Sequence, residues 1–466
     1  MTHPLDQSLD ALAAALRDGT TTSETLADTA LARQARHAES LGAYKSTDPA
    51  LTRAQARAAD AAFAAGAELG PLQGLPVSAK DLYGVAGYPT FAGTRHRLPP
   101  DWEREGPVVG AVRGQLGVVI GKTHTVEIAF GGLGTNPHWG TPRNPWDAET
   151  PRVPGGSSAG AAVSLVEGSA VLALGTDTSG SVRIPAAMTG TVGLKTSQGR
   201  WPVDGIFPLS PSLDTAGILT RTVADACSAF AALDPLLSRR GAPIPERDLQ
   251  GLRIGVPEAF FWEECSPGVA EGVREALDAL AAKGAILSSF DLPETAEAIE
   301  YFRLGGLAAA EGYAFLKNDL PQLLDSLEPN IVQRMSEAGA LPAHAYIQRR
   351  RRLAALSASA SERMGGVDVV AVPTVAVTPP TIAEVADAER YRVLNLLALR
   401  NTSIASLLGL CALTLPVARD AAGMPVGLML MARYFDDTGL LAAARAVETV
   451  LGNAAARLGR APLGGD

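Results

Sequence analysis

The 466-residue sequence predicts an α/β fold in which helices cover a sheet. Strand-like runs at 254–256, 367–372 and 426–430 alternate with helical patterns at 269–283, 343–364 and 438–451, the order expected of a sheet packed under helices. Short β-branched runs at 118–120 and 171–174 sit among frequent glycines and prolines, as core strands between turns do. With 47% hydrophobic and 19% charged residues, the chain can bury a large core and is not a disordered polymer.

Element by element, Leu9, Leu12 and Leu16 recur at helical spacing before Gly19, and Thr21 with Glu24 forms a capping box for the next helix. Alanine-rich helical sequence continues to about Gly66, so 1–66 is expected to form an N-terminal helical layer. Residues 67–220 are expected to hold the core with its chemistry, and 221–466 the rest of the sheet, the outer helices and the region that sets specificity. No repeat, low-complexity linker or boundary divides 1–466, and one domain is expected. Residues 401–418 carry no charge and approach the ~20 residues that span a bilayer. They contain Asn401, Thr402, Ser403, Ser406, Thr414 and Pro416, and Gly409 divides them, which favours a buried helix running into a buried strand and no membrane span. The arginines at 349–352 lie in an Ala/Leu-rich helical pattern and read as a solvated face.

Charge and cysteine content narrow the function classes. A balance of 40 basic against 49 acidic residues gives −9, which argues against nucleic acid as a partner. No basic start followed by an apolar stretch marks a secretory signal. The three cysteines, Cys227, Cys265 and Cys411, are far apart and offer no metal-ligand spacing. A cytoplasmic protein without cofactor or metal is expected.

The special residues are densest between Gly74 and Gly199. There the chain reads Gly74-Leu75-Pro76-Val77-Ser78-Ala79-Lys80-Asp81, then Pro154-Gly155-Gly156-Ser157-Ser158-Ala159-Gly160, then Gly175-Thr176-Asp177-Thr178-Ser179-Gly180-Ser181-Val182-Arg183-Ile184-Pro185. A lysine, a glycine-flanked serine pair and a third serine could together make a serine nucleophile without histidine. Gly156-Ser157-Ser158-Ala159-Gly160 also fits the G-x-S-x-G elbow, but Thr150-Pro151-Arg152-Val153-Pro154 is a poor strand and the only later histidine is His344. A phosphate loop of the G-x-x-x-x-G-K-[ST] type is absent. His124 with Glu127 is the best metal fragment and lacks further ligands at suitable spacing.

Taken together these motifs resemble the amidase signature family of serine hydrolases. The resemblance runs over about 72–440 and includes Gly121-Lys122-Thr123 leading to Glu127, Arg143-Asn144-Pro145, Val192-Gly193-Leu194-Lys195, Ser212-Leu213-Asp214-Thr215 with Gly217, Pro425-Val426-Gly427-Leu428 and Phe435-Asp436-Asp437. It implies a compact α/β domain with a mixed central sheet between helical layers. It also implies a Ser-Ser-Lys triad of Lys80, Ser157 and Ser181, with Ser181 the nucleophile, Ser157 the proton relay and a cis peptide before Ser157. Ser158 is then a packing or hydrogen-bonding residue. The backbone N–H groups of Thr178, Ser179, Gly180 and Ser181 are expected to receive the oxyanion. Phe130, Gly131 and Gly132 match a segment that lines the family's substrate site, and Asp177 and Arg183 are expected to hold the nucleophile turn, where they could pair.

The residue types suit this chemistry. A serine must lose its proton as it attacks, and lysine can take that proton only when neutral, so Lys80 must be buried among apolar groups and donors. Ser179 and Ala159 stand where the family commonly has glycine, and Cys411 and Thr196 where it commonly has proline. The reading that follows is an amidase acting on a small or medium amide and releasing ammonia or an amine through an acyl-enzyme. The runner-up is the glutaminase subunit of a tRNA-dependent amidotransferase, and a third reading is a catalytically dead scaffold. The expected partner is a small-molecule amide, with homodimerisation left open.

Overall fold

Side chains leave a strand on alternate faces, and along the central strands both faces are apolar. In the strand Pro425–Ala432, Leu428 and Leu430 enter one core while Met429 and Met431 enter another. The strand Val369–Pro373 divides in the same way, Val369 and Ala371 on one side and Val370 and Val372 on the other. The sheet is therefore covered twice. Helices Leu9–Arg17, Val223–Leu233, Val269–Ala282 and Asp437–Leu451 cover the first face, and Ala343–Arg363 and Ala388–Leu407 the second.

The computed structural model describes residues 4–238 and 241–464. In chain order its strands are β1 (Tyr44–Thr47), β2 (Pro76–Lys80), β3 (Val118–Thr123), β4 (Leu172–Asp177), β5 (Val192–Lys195) and β6 (Thr215–Thr220). They continue with β7 (Arg253–Val256), β8 (Ile286–Ser289), β9 (Val369–Pro373), β10 (Cys411–Arg419) and β11 (Pro425–Ala432). All belong to one sheet of order β1-β3-β2-β4-β6-β5-β10-β11-β9-β7-β8. β2 runs parallel to β3 and β4, while β4, β6, β5, β10 and β11 pair antiparallel in succession. The fold is α/β, with a mixed sheet between helical layers.

Two expectations for the N-terminal layer need correction. Residues 1–66 are not helical throughout, because Tyr44–Thr47 forms the edge strand β1 against β3. Four half-buried residues between alanine-rich helices carry too little pattern to be seen as a strand. The second helix is capped by Thr22, whose side chain accepts from Thr25 N–H, and not by a Thr21–Glu24 box. Asp60 from the neighbouring helix takes the N–H groups of Ser23 and Glu24, leaving no role for that box. The uncharged run is the end of the helix Ala388–Leu407 followed by β10, both largely buried. Among the described residues no helix is long and apolar enough to cross a membrane. Of the arginine run, Arg350, Arg351 and Arg352 are exposed, and Arg352 pairs with Glu297 at 2.7 Å.

Candidate active site

Parallel pairing of β2 with β4, Val77 opposite Leu172 and Ala79 opposite Leu174, brings the C-terminal ends of two strands together. Ligand sites in open α/β sheets form at such ends. Lys80 closes β2, fully buried, and its Nζ donates to Thr176 Oγ1 on β4 at 2.7 Å and to Ser157 Oγ at 2.7 Å. Burial lowers the Lys80 pKa from its ordinary 10.5 to about 7, against the opposing pull of the Asp177 and Asp214 carboxylates. A lysine in that range exchanges protons near neutral pH.

Ser157 follows a cis peptide bond from Gly156 and is fully buried at the entry to the helix Ala159–Glu167. Ser158 ties this segment to its surroundings: its N–H donates to the Ser181 carbonyl at 3.0 Å, and its Oγ bridges the Thr176 N–H and carbonyl, each at 3.3 Å. Lys80 and Ser157 are thus in direct contact, while Ser181 is joined to the pair through the backbone of Ser158. The Ser181 hydroxyl has no hydrogen-bond partner among the described residues, and the residue is 4% exposed.

The turn carrying Ser181 is held by a buried ion pair. Arg183 donates from Nε to Asp177 Oδ2 at 2.9 Å and from Nη2 to Oδ1 at 2.8 Å, with both side chains fully buried. Burial alone would raise the Asp177 carboxyl, yet the guanidinium holds it below the usual carboxylate range. The same carboxylate accepts the Gly180 N–H at 2.7 Å and the Val182 N–H at 3.2 Å. This corrects one expectation: the Gly180 N–H is committed to Asp177 and is not free for an oxyanion. The N–H groups of Thr178, Ser179 and Ser181 have no acceptor among the described residues. Thr402 Oγ1 donates to the Ser179 carbonyl at 2.7 Å, and Thr178 Oγ1 to Asp214 Oδ1 at 2.6 Å. Gly180 has φ +138°, and a Cβ there would lie 2.1 Å from Thr402 Oγ1, so the position requires glycine.

Phe130, Gly131 and Gly132 border this centre. The Gly132 carbonyl accepts the Gly156 N–H at 2.8 Å, and its N–H donates to Asn395 Oδ1 at 2.7 Å. A Cβ on Gly132 would meet Ile184 Cδ1 at 3.3 Å, the atom that a Cβ on Gly180 would meet at 2.8 Å. A cavity of about 70 Å³ opens beside them, lined by the polar residues Thr176, Thr178 and Asp214 and by apolar residues that include Leu82, Ala129 and Phe207.

Other candidates lie apart from this arrangement. Glu127 is bonded to His138 Nε2 at 2.6 Å and not to His124. Cys411 is buried, its thiol directed at the carbonyls of Ala432 and Arg433, and burial pushes its pKa well above the ordinary value. His344 lies exposed on the helix Ala343–Arg363. Sequence reasoning gave no role in the site to Thr176, Asp214, Thr402 or Asn395. Of these, Thr402 lies within the uncharged run, where a polar residue at a buried position was the available signal.

Fold and site together are those of a hydrolase, with a buried lysine and serines gathered at the ends of parallel strands. The sequence matches the Amidase family over residues 25–441, and the chain belongs to that family. It is 51% identical to the 2-amino-5-chloromuconic acid deaminase of Comamonas testosteroni, with 97% of this chain and 98% of that one covered. It is 33% identical to a subunit of the glutamyl-tRNA(Gln) amidotransferase of Cupriavidus taiwanensis, over 95% and 96% of the two chains. An amidase crystal structure superposes with a TM-score of 0.85 at 33% identity, covering 96% of this chain and all of the other. The protein is an amidohydrolase of this family.

Proposed function

We propose that the chain releases ammonia from a small carboxylic acid bearing an amide or amino group, with aminomuconate-type compounds as the first substrates to test. Ser181 is the nucleophile, Ser157 the relay and Lys80 the base. The observation that carries the reading is the contact of 2.7 Å between Lys80 Nζ and Ser157 Oγ, made by a buried lysine whose pKa is lowered to about 7. Neutral Lys80 accepts the Ser157 proton through this contact while Ser157 takes the proton of Ser181. The Ser181 oxygen attacks the carbon bonded to nitrogen, and the free N–H groups of Thr178, Ser179 and Ser181 are the nearest donors for the charge that develops. The relay run backwards protonates the nitrogen, the C–N bond breaks, and water then releases Ser181.

Similarity to the Comamonas testosteroni deaminase over nearly the whole chain supports the substrate class. Phe130, Gly131 and Gly132 would line the substrate, with the neighbouring cavity taking its apolar part. The acidic balance and the free cysteines Cys227, Cys265 and Cys411 support a cytoplasmic place of work. The test is ammonia release from 2-amino-5-chloromuconate, simple primary amides and glutamine, alongside fluorophosphonate labelling. Release from glutamine alone would favour the reading as an amidotransferase component, and absence of any adduct would favour a dead scaffold.

A further inference from the structure

The helix Pro329–Gly339 carries a cation with no anionic partner. Arg334 makes no hydrogen bond or ion pair among the described residues, and its guanidinium lies 4.5 Å from the centre of the Phe130 ring. Arg183, Arg200, Arg352 and Arg363 pair with carboxylates, whereas Arg334 rests on an aromatic ring, as Arg274 does on Trp262. The nearby carboxylate does not serve: Glu328 accepts from Asn330 Nδ2 at 2.8 Å and from the Ile331 N–H at 3.2 Å at the start of its own helix. Arg334 is exposed as a residue, yet burial around its guanidinium lowers its pKa, with Tyr391 and Glu328 opposing. A guanidinium resting on an aromatic face with no carboxylate partner has its fork of N–H donors available to an anion.

The position connects it to the nucleophile turn. Phe130, under the guanidinium, adjoins Ala129 in the cavity wall and Gly131, where a Cβ would meet the Tyr391 hydroxyl at 2.6 Å. Gly132 comes next and shares Ile184 with Gly180. On the other side, Met335, the neighbour of Arg334, reaches the same place beside Gly312 as Leu209 of the cavity wall. Arg334 therefore lies against the 130–132 segment that borders the site.

We infer that Arg334 binds a carboxylate of the substrate remote from the bond being cleaved, stacked on Phe130, and so selects small acids over neutral amides. The chemical class rests on the functional reading above, since a muconic acid has a carboxylate at each end. A planar guanidinium held over an aromatic face can accept a carboxylate through two parallel N–H bonds.

The test uses cis,cis-muconate, a dicarboxylate without the amino group, to protect the full-length protein from fluorophosphonate, each variant being compared with its own unprotected labelling rate. Arg334→Gln should raise the concentration needed for half-protection by about 10- to 100-fold, the range for a lost hydrogen bond to a charged group. The same variant should raise KM for 2-amino-5-chloromuconate much more than it lowers kcat. Equal protection of Arg334→Gln and wild type, or no protection of wild type, overturns the inference. Should Arg334→Gln fail to fold, Arg334→Lys decides: weakened protection supports the fork geometry and wild-type protection refutes it. Wild type that deaminates the substrate with no dependence on Arg334 sinks this inference alone. Protection that depends on Arg334 without any deamination sinks the functional reading alone.

Discussion

Lys80 Nζ lies 2.7 Å from Ser157 Oγ although 77 residues separate the two in the chain. Register produces the contact. β2 pairs in parallel with β4, so Lys80 comes beside Thr176, and Ser158 fastens the Ser157 segment to that same threonine. The lysine reaches two hydroxyl oxygens and one distant carbonyl, with no carboxylate in hydrogen-bonding contact. That environment favours its neutral form.

Lys80→Arg should reduce turnover by about 10²- to 10⁴-fold, since a guanidinium stays charged and cannot act as a base. In wild type, acylation should rise with pH through about 7, the value to which burial lowers Lys80. Pre-steady-state acylation against pH measures both effects, and a fully active Lys80→Arg enzyme would remove lysine from the mechanism.

The same depressed pKa has a consequence for stability. Between about 7 and 10.5 the unfolded chain carries a proton on Lys80 that the folded chain has lost, so this residue's contribution rises with pH across that window. Below about 7 burial of Lys80 costs the fold on the order of 5 kcal/mol. Two lost hydrogen bonds return about 1 kcal/mol each. Lys80→Met should accordingly be more stable than wild type at pH 6 and less stable at pH 10.5, where the two lost hydrogen bonds leave a deficit of about 2 kcal/mol. Denaturant melts of both proteins across this range test the sign.

Fluorophosphonate should modify Ser181, and Ser181→Ala should remain folded without taking label. Ser158→Ala should still label, at a cost of about 1–3 kcal/mol for the Thr176 N–H left without its buried acceptor. Peptide mapping of the adduct distinguishes the serines, and an adduct on Ser158 or Cys411 would overturn the assignment.

Gly180→Ala faces the positive φ and collisions with Thr402 Oγ1, Thr402 Cβ and Ile184 Cδ1, of which Oγ1 is the nearest. Thr402→Ala removes that nearest atom but leaves the backbone conformation. The double variant should therefore stay impaired, by about the 10²- to 10³-fold that follows loss of an oxyanion donor, because the turn cannot present its N–H groups correctly. Recovery of kcat in the double variant would locate the whole defect in the collision with Thr402 Oγ1.

Short segments that come close together in the structure stood out in the sequence. Lys80, Ser157 and Ser181 each sit in a local motif, and the alternation of β-branched and helical runs exposed the sheet and its cover. What escaped was set by tertiary approach. Asp214 becomes a partner of Thr178 only because β4 and β6 pair antiparallel, bringing residues 36 apart within 2.6 Å. Thr402 meets Ser179 across 223 residues. The commitment of the Gly180 N–H depends on where the Asp177 carboxylate points, which residue types do not encode. β1 was hidden because its pairing with β3, not its own composition, makes it a strand.

Glu127 offers a last prediction, since it joins the site segment to the helix carrying Arg334. Its Oε1 contacts His138 Nε2 at 2.6 Å, and its Oε2 accepts the Glu328 N–H at 2.8 Å, one residue before the helix Pro329–Gly339 begins. Glu127→Ala removes both bonds and should cost roughly 3–6 kcal/mol, at about 1.5–3 kcal/mol for each hydrogen bond to a charged group. The loss should be local, so amide exchange should quicken in 329–339 while β4 keeps its protection. Glu127→Gln retains an oxygen for the Glu328 N–H and should recover most of that protection. Exchange in Glu127→Ala equal to wild type would mean that buried Ile331 and Met335 hold the helix without this tether.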